Sequence, residues 1–124
     1  MYRVLIADGD ETCRGLLMQA LSVDEYQIAV VSSGKDALEC ISRKGTDVLI
    51  MEVHLPDMEG WSLIPEVRRI NGDIPVIAVT ADDAWETSRR IRIENGPIFF
   101  YEVKPLNMRE MQEVVRKAVQ RVQR

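Results

Sequence analysis

An apolar run, Val48-Leu49-Ile50-Met51, leads straight into Glu52, and beyond it come Leu55-Pro56-Asp57 and Gly60. Apolar side chains without a polar interruption read as a strand buried on both faces, and the Pro and Gly mark the turn that ends it. Such a strand needs a covering layer on each side, which points to a parallel sheet between helices. Its last position is a carboxylate. A charge at the tip of a buried strand is costly unless it is solvated, paired or used, and open α/β sheets bind ligands at the carboxyl ends of their strands. Glu52 is therefore the first residue that needs a role.

The rest of the chain repeats the alternation. Val4-Leu5-Ile6-Ala7 is a short apolar strand that stops at Asp8-Gly9-Asp10. Asp10 suits the cap of a following helix, in which Leu16, Leu17, Ala20 and Leu21 recur on one face. Ile28-Ala29-Val30-Val31 reads as a second buried strand. Ser33 with Asp36 opens a helix that turns Ala37, Leu38 and Ile41 inward and ends at Lys44-Gly45. After the Glu52 strand, a third helix over Trp61–Ile70 with Ser62 as N-cap places Pro65 in the first turn, where its missing N–H costs nothing.

Pro75–Val79 is a fourth strand ending at Thr80, followed by an Asp83-x-x-Glu86 cap signal and a polar helix to about Glu94. Ile98-Phe99-Phe100-Tyr101 is a fifth strand. Asn107 and Glu110 then cap a last helix whose Met108, Met111, Val115, Ala118 and Val122 form an apolar stripe. Five strands alternating with five helices predict one α/β domain over residues 1–124. The expected architecture is a flavodoxin-like (βα)5 three-layer sandwich with parallel strand order 2-1-3-4-5. In that order Asp8 and Glu52 share a crevice with Thr80 and Lys104 beside them.

Composition narrows the function classes. The chain is 46% hydrophobic and 29% charged, as in ordinary globular proteins. No run approaches the roughly 18 apolar residues of a membrane helix, and no leader pattern opens the chain, so a cytoplasmic location is expected. A net charge of −4 leaves no nucleic-acid footprint. The charge is uneven, with 5 basic and 11 acidic residues as far as Ser62 and 11 and 9 beyond it. Cys13 and Cys40 lack metal-ligand spacing and read as buried or idle thiols.

Taken together, Asp8-Gly9, Glu52 with its Leu-Pro-Asp-x-x-Gly loop, Thr80-Ala81, Tyr101 and Lys104-Pro105 resemble the receiver domain of two-component response regulators. The resemblance spans the chain. It implies a phospho-acceptor at Glu52, a metal position at Asp8, a phosphate-gripping hydroxyl and lysine at Thr80 and Lys104, and an aromatic switch at Tyr101. It also implies protein partners met through the fourth helix, fifth strand and last helix, with a homodimer as one outcome, and separately a contact with a histidine kinase. Two positions depart from the family pattern. The acceptor aspartate is glutamate, and Gly9 replaces one of the metal-binding acids.

Both departures act against phosphorylation. Glutamate displaces the carboxylate by one methylene, on the order of 1.5 Å, and a misplacement near 1 Å can cost about a hundredfold in rate. A missing ligand weakens the magnesium that the same step uses. The expectation is a pseudo-receiver without enzymatic activity of its own, in which Glu52 and Lys104 form a standing ion pair in place of metal and phosphate. No cofactor is expected, with magnesium weak at best. One alternative keeps phosphorylation through Glu52 or Asp57. Another rests on Asp8-Gly9-Asp10-Glu11-Thr12, which is similar to the nucleophile motif of haloacid-dehalogenase-type phosphatases, with Asp8 as nucleophile and Asp10 as acid and base.

The remaining candidates have bland explanations. Asp10 suits a helix cap, Asp57 a turn, and His54 a lone loop histidine without metal or relay partners. Trp61 and Trp85 suit packing or partner contacts. Arg89, Arg90 and Arg92 suit a solvated helix face, or an interaction surface shared with the fifth strand and last helix.

Overall fold

The structure is a computed structural model that describes residues 1–21, 24–81 and 98–122. Its elements in chain order are β1 (Tyr2–Ala7), α1 (Glu11–Ala20), β2 (Tyr26–Val31), α2 (Gly34–Lys44), β3 (Val48–Glu52), α3 (Gly60–Ile70), β4 (Val76–Thr80), β5 (Phe100–Val103) and α4 (Met108–Arg121). All strand pairs are parallel and the order is β2-β1-β3-β4-β5. The expected helix from Asp83 to about Glu94, with Trp85 and the three arginines, lies outside the described residues, as does the segment through Pro97.

Strand alternation builds two cores. Val4 and Ile6 of β1, Val48 and Ile50 of β3, and Ile77 and Val79 of β4 face α1 and α4. Leu5, Ala7, Leu49, Met51, Val76 and Ala78 face α2 and α3. The three central strands are buried on both sides, which is why they read as unbroken apolar runs. Asp10 caps α1 by accepting the Thr12 N–H, Ser33 caps α2 through the Asp36 N–H, and Asn107 caps α4 through the Glu110 N–H. Gly45 ends α2 with φ +77°, a left-handed conformation that favours glycine.

Several expectations need correction. In α1, Leu16 is 41% exposed, and Cys13 points inward in its place, in steps of four with Leu17 and Leu21. Strand β2 is an edge strand with Val30 38% exposed, because one side of the sheet ends there. Helix α3 starts after Glu59 and not after Ser62, so Pro65 lies past the first turn. Pro65 brings no N–H to that turn, and its ring sits on the exposed side of the helix.

Strand β5 begins two residues later than the aromatic run suggests. Register against Ile77–Thr80 defines it and draws in Glu102 and Val103, while Ile98 and Phe99 pack against the two cores before it starts. The stripe of α4 is also broader than expected. Val114 and Val119 are buried beside Met111, Val115 and Ala118, whereas Met108 and Val122 are half-buried at the helix ends.

The loop from β3 to α3 is tied at several points. Gly60 N–H bonds the Val53 carbonyl at 2.5 Å, and Leu55 N–H bonds the Met58 carbonyl at 3.1 Å. Asp57 reaches across to α2, where Oδ1 accepts the Gly34 N–H at 2.8 Å and Oδ2 accepts the Lys35 N–H at 3.0 Å. These two N–H groups hold its carboxyl below the usual carboxylate range. A depressed native value means that the stabilisation is complete above the ordinary carboxylate range and fades as pH falls through the native value. Asp57→Ala is expected to lower stability by about 1 kcal/mol, as loss of a helix cap does. Urea unfolding will show that gap at neutral pH and show it closing in acid.

Candidate functional site

Four strands deliver their last residues to one edge of the sheet. Asp8 follows β1, Glu52 ends β3, Thr80 ends β4, and Lys104 follows β5. Backbone bonds secure these ends: Asp8 N–H to the Val31 carbonyl at 3.1 Å, Val53 N–H to Val79 at 2.9 Å, and Lys104 N–H to Thr80 at 2.7 Å. Asp8, Glu52 and Thr80 are buried. Lys104 enters from the rim, with its side chain 15% exposed.

Lys104 Nζ lies 3.2 Å from Asp8 Oδ2 and 3.3 Å from Glu52 Oε2. Only the Asp8 contact has hydrogen-bond geometry, whereas Glu52 Oε2 meets the ammonium as a charge contact. The other oxygen of Asp8, Oδ1, accepts the Asp10 N–H at 2.8 Å. The expected partnership of Glu52 and Lys104 is thus present as geometry, but Asp8 is the better aligned partner.

A response regulator receiver domain model matches residues 4–116. The chain belongs to the response regulator receiver domain family. Two-component response regulator ORR21 of Oryza sativa subsp. indica is 35% identical, over 93% of this chain and 17% of that protein. A CheY-like receiver domain from Methanospirillum hungatei has the same fold, with a TM-score of 0.88 and 24% identity over 97% of this chain and 94% of the other. The beryllofluoride-activated NtrC4 receiver domain dimer superposes with a TM-score of 0.86 at 24% identity, covering 99% of this chain and all of that one. This receiver spans 17% to 51% of the length of curated relatives that it matches. No helix among its described residues is long and apolar enough to cross a membrane.

The electrostatics of the receiver site follow from two acids sharing one base. Burial pushes the Glu52 carboxyl above its usual range and Asp8 adds to this, while Lys104 and the His54 backbone N–H pull it back. Burial alone would lower Lys104, but Glu52 and Asp8 outweigh it and hold the ammonium above the ordinary lysine range. Cys13 is the residue that sequence reasoning placed without a role. Burial and then Asp8 push its thiol up to about 12, with Lys104 opposing. Its spacing of four from Leu17 was the available signal that it faces the core.

The other candidates are distributed around this centre. Tyr101 is half-buried on β5, opposite Ala78, and packs on the α2–α3 core. His54 is not isolated: its Nδ1 lies 2.5 Å from Glu59 Oε2, and its ring meets Trp61 edge-on at 6.3 Å. Asp10 is a helix cap and Asp57 an anchor for α2. Arg14 adds a donor from α1 to the Asp8 carbonyl at 2.6 Å. With its thiol held neutral and shielded, Cys13 is expected to resist a disulfide reagent in the native receiver and to react only after unfolding, as mass spectrometry of labelled peptides will record.

Proposed function

We propose that this receiver works as a protein-interaction module of a two-component pathway, held in one signalling state by Glu52 as a fixed acidic surrogate. The observation that carries the reading is the position of the Glu52 carboxylate, 3.3 Å from the lysine that grips phosphate in the family pattern. This carboxylate faces the Lys104 ammonium and the His54 N–H. A nucleophile already engaged in this way is poorly placed for in-line attack on phosphorus. It supplies about one negative charge where a phosphoryl group supplies nearly two.

Phosphorylation at Asp57 has less support. Both of its oxygens accept N–H groups at the start of α2, so a phosphoryl group there would displace that anchor. The phosphatase reading has less support too, because Asp10 Oδ1 accepts the Thr12 N–H as the cap of α1. Receiver domains are signalling modules that meet kinases and other proteins, and they can dimerise. Here the proposed partner face comprises β5, α4 and the helix expected ahead of β5, with a cytoplasmic setting, a kinase contact and a homodimer as its natural contexts.

Incubation with magnesium and acetyl phosphate, followed by intact mass measurement, tests the reading. The expected outcome is an unchanged mass, with no mass added by Glu52→Gln either. A phosphoryl adduct that disappears in Glu52→Gln would overturn it, and one that disappears in Asp57→Asn would favour the loop acceptor.

A further inference from the structure

The receiver family implies a divalent cation beside the acceptor, and the residues of this chain do not fit one. We infer that Lys104 Nζ is the resident cation of this site, filling by its own ammonium the role for which other receivers recruit a metal.

The two carboxylates already face a cation. Magnesium takes oxygen ligands at about 2.0–2.1 Å in strict octahedral geometry and usually needs one or two carboxylates with open lone pairs. Asp8 has given Oδ1 to the Asp10 N–H and Oδ2 to Lys104. Glu52 lies against the same ammonium. The two carboxylates are thus bridged by a cation that is part of the chain.

The position that should bring a further ligand has no side chain. A Cβ built at Gly9 lies 2.9 Å from Pro56 Cγ and 3.0 Å from Cδ, so any side chain there requires the proline ring to shift. The next acid, Asp10, faces the start of α1. Among the described residues no group of three or more His, Cys, Asp or Glu is arranged to hold a metal ion.

Charge counting turns this into a gain-of-binding test. With Lys104 present, two carboxylates face one ammonium. Without it, the two buried carboxylates lose the ammonium between them, and a divalent cation becomes the ion that neutralises them. Lys104→Met keeps much of the side-chain volume and removes the charge.

Manganese serves as the probe, with binding read from the paramagnetic signal of free Mn2+ and stability from thermal unfolding at constant ionic strength. The wild-type chain is expected to leave the signal undiminished and its Tm flat. Lys104→Met is expected to take up one equivalent of Mn2+, with a Tm that climbs with the logarithm of the metal concentration. Lys104→Arg keeps a cation and should behave as wild type. Adding Asp8→Asn to Lys104→Met should abolish the acquired binding.

Saturable Mn2+ binding by the wild-type chain would overturn the inference, and so would a folded Lys104→Met that ignores the metal. Should Lys104→Met fail to fold with or without Mn2+, Lys104→Gln, which retains a donor toward Asp8, carries the same comparison. These titrations contain no phosphodonor, so their outcome is independent of whether Glu52 takes phosphate.

Discussion

One ammonium shared by two buried carboxylates is the interaction on which this receiver turns. Lys104 is separated from Asp8 by 96 positions in the chain, yet their polar atoms meet at 3.2 Å. An acid as enclosed as Asp8 is destabilising without a counter-charge, so the ends of β1, β3 and β5 have to converge on Lys104 if these residues are to be buried at all. The hydrogen-bonded side of the arrangement belongs to Asp8, and the excess charge falls on Glu52. Burial raises the Glu52 carboxyl, and the nearby Asp8 adds to it, despite the lysine beside it.

Convergence at that edge follows from the way the sheet is packed. Central strands with apolar side chains on both faces bury their backbones between two helical layers, leaving only the strand ends for polar chemistry. The loop after β3 is then fastened by its own turn bonds and by Asp57 on α2. The His54 N–H, one of the donors facing Glu52, sits on this fastened loop. A longer acid in a restrained setting is held against its partners, which is the feature the proposed function rests on.

Much of this was legible from local pattern. Apolar runs gave the central strands, and Asp10, Ser33 and Asn107 marked helix starts that the structure retains, because a cap is decided within three residues. The errors occur where the deciding partner is elsewhere. Whether a strand is central or an edge cannot be read from Ile28–Val31 itself, and the start of β5 depends on where Ile77 lies. Pro65 was misplaced because the opening of α3 is governed by the turn from Val53 to Gly60 and not by the nearest serine.

The amino-acid sequence alone determined the alternation of strands and helices and which residues stand at the strand tips, since each depends on short-range periodicity or on which residue follows a strand. Tertiary structure decided how the charges are shared: that Asp8 takes the aligned bond to Lys104, that Asp57 is spent on α2, and that Cys13 lies beside Asp8 and Lys104. Such assignments depend on distances of a few ångströms between residues far apart in the chain, and no local pattern encodes them.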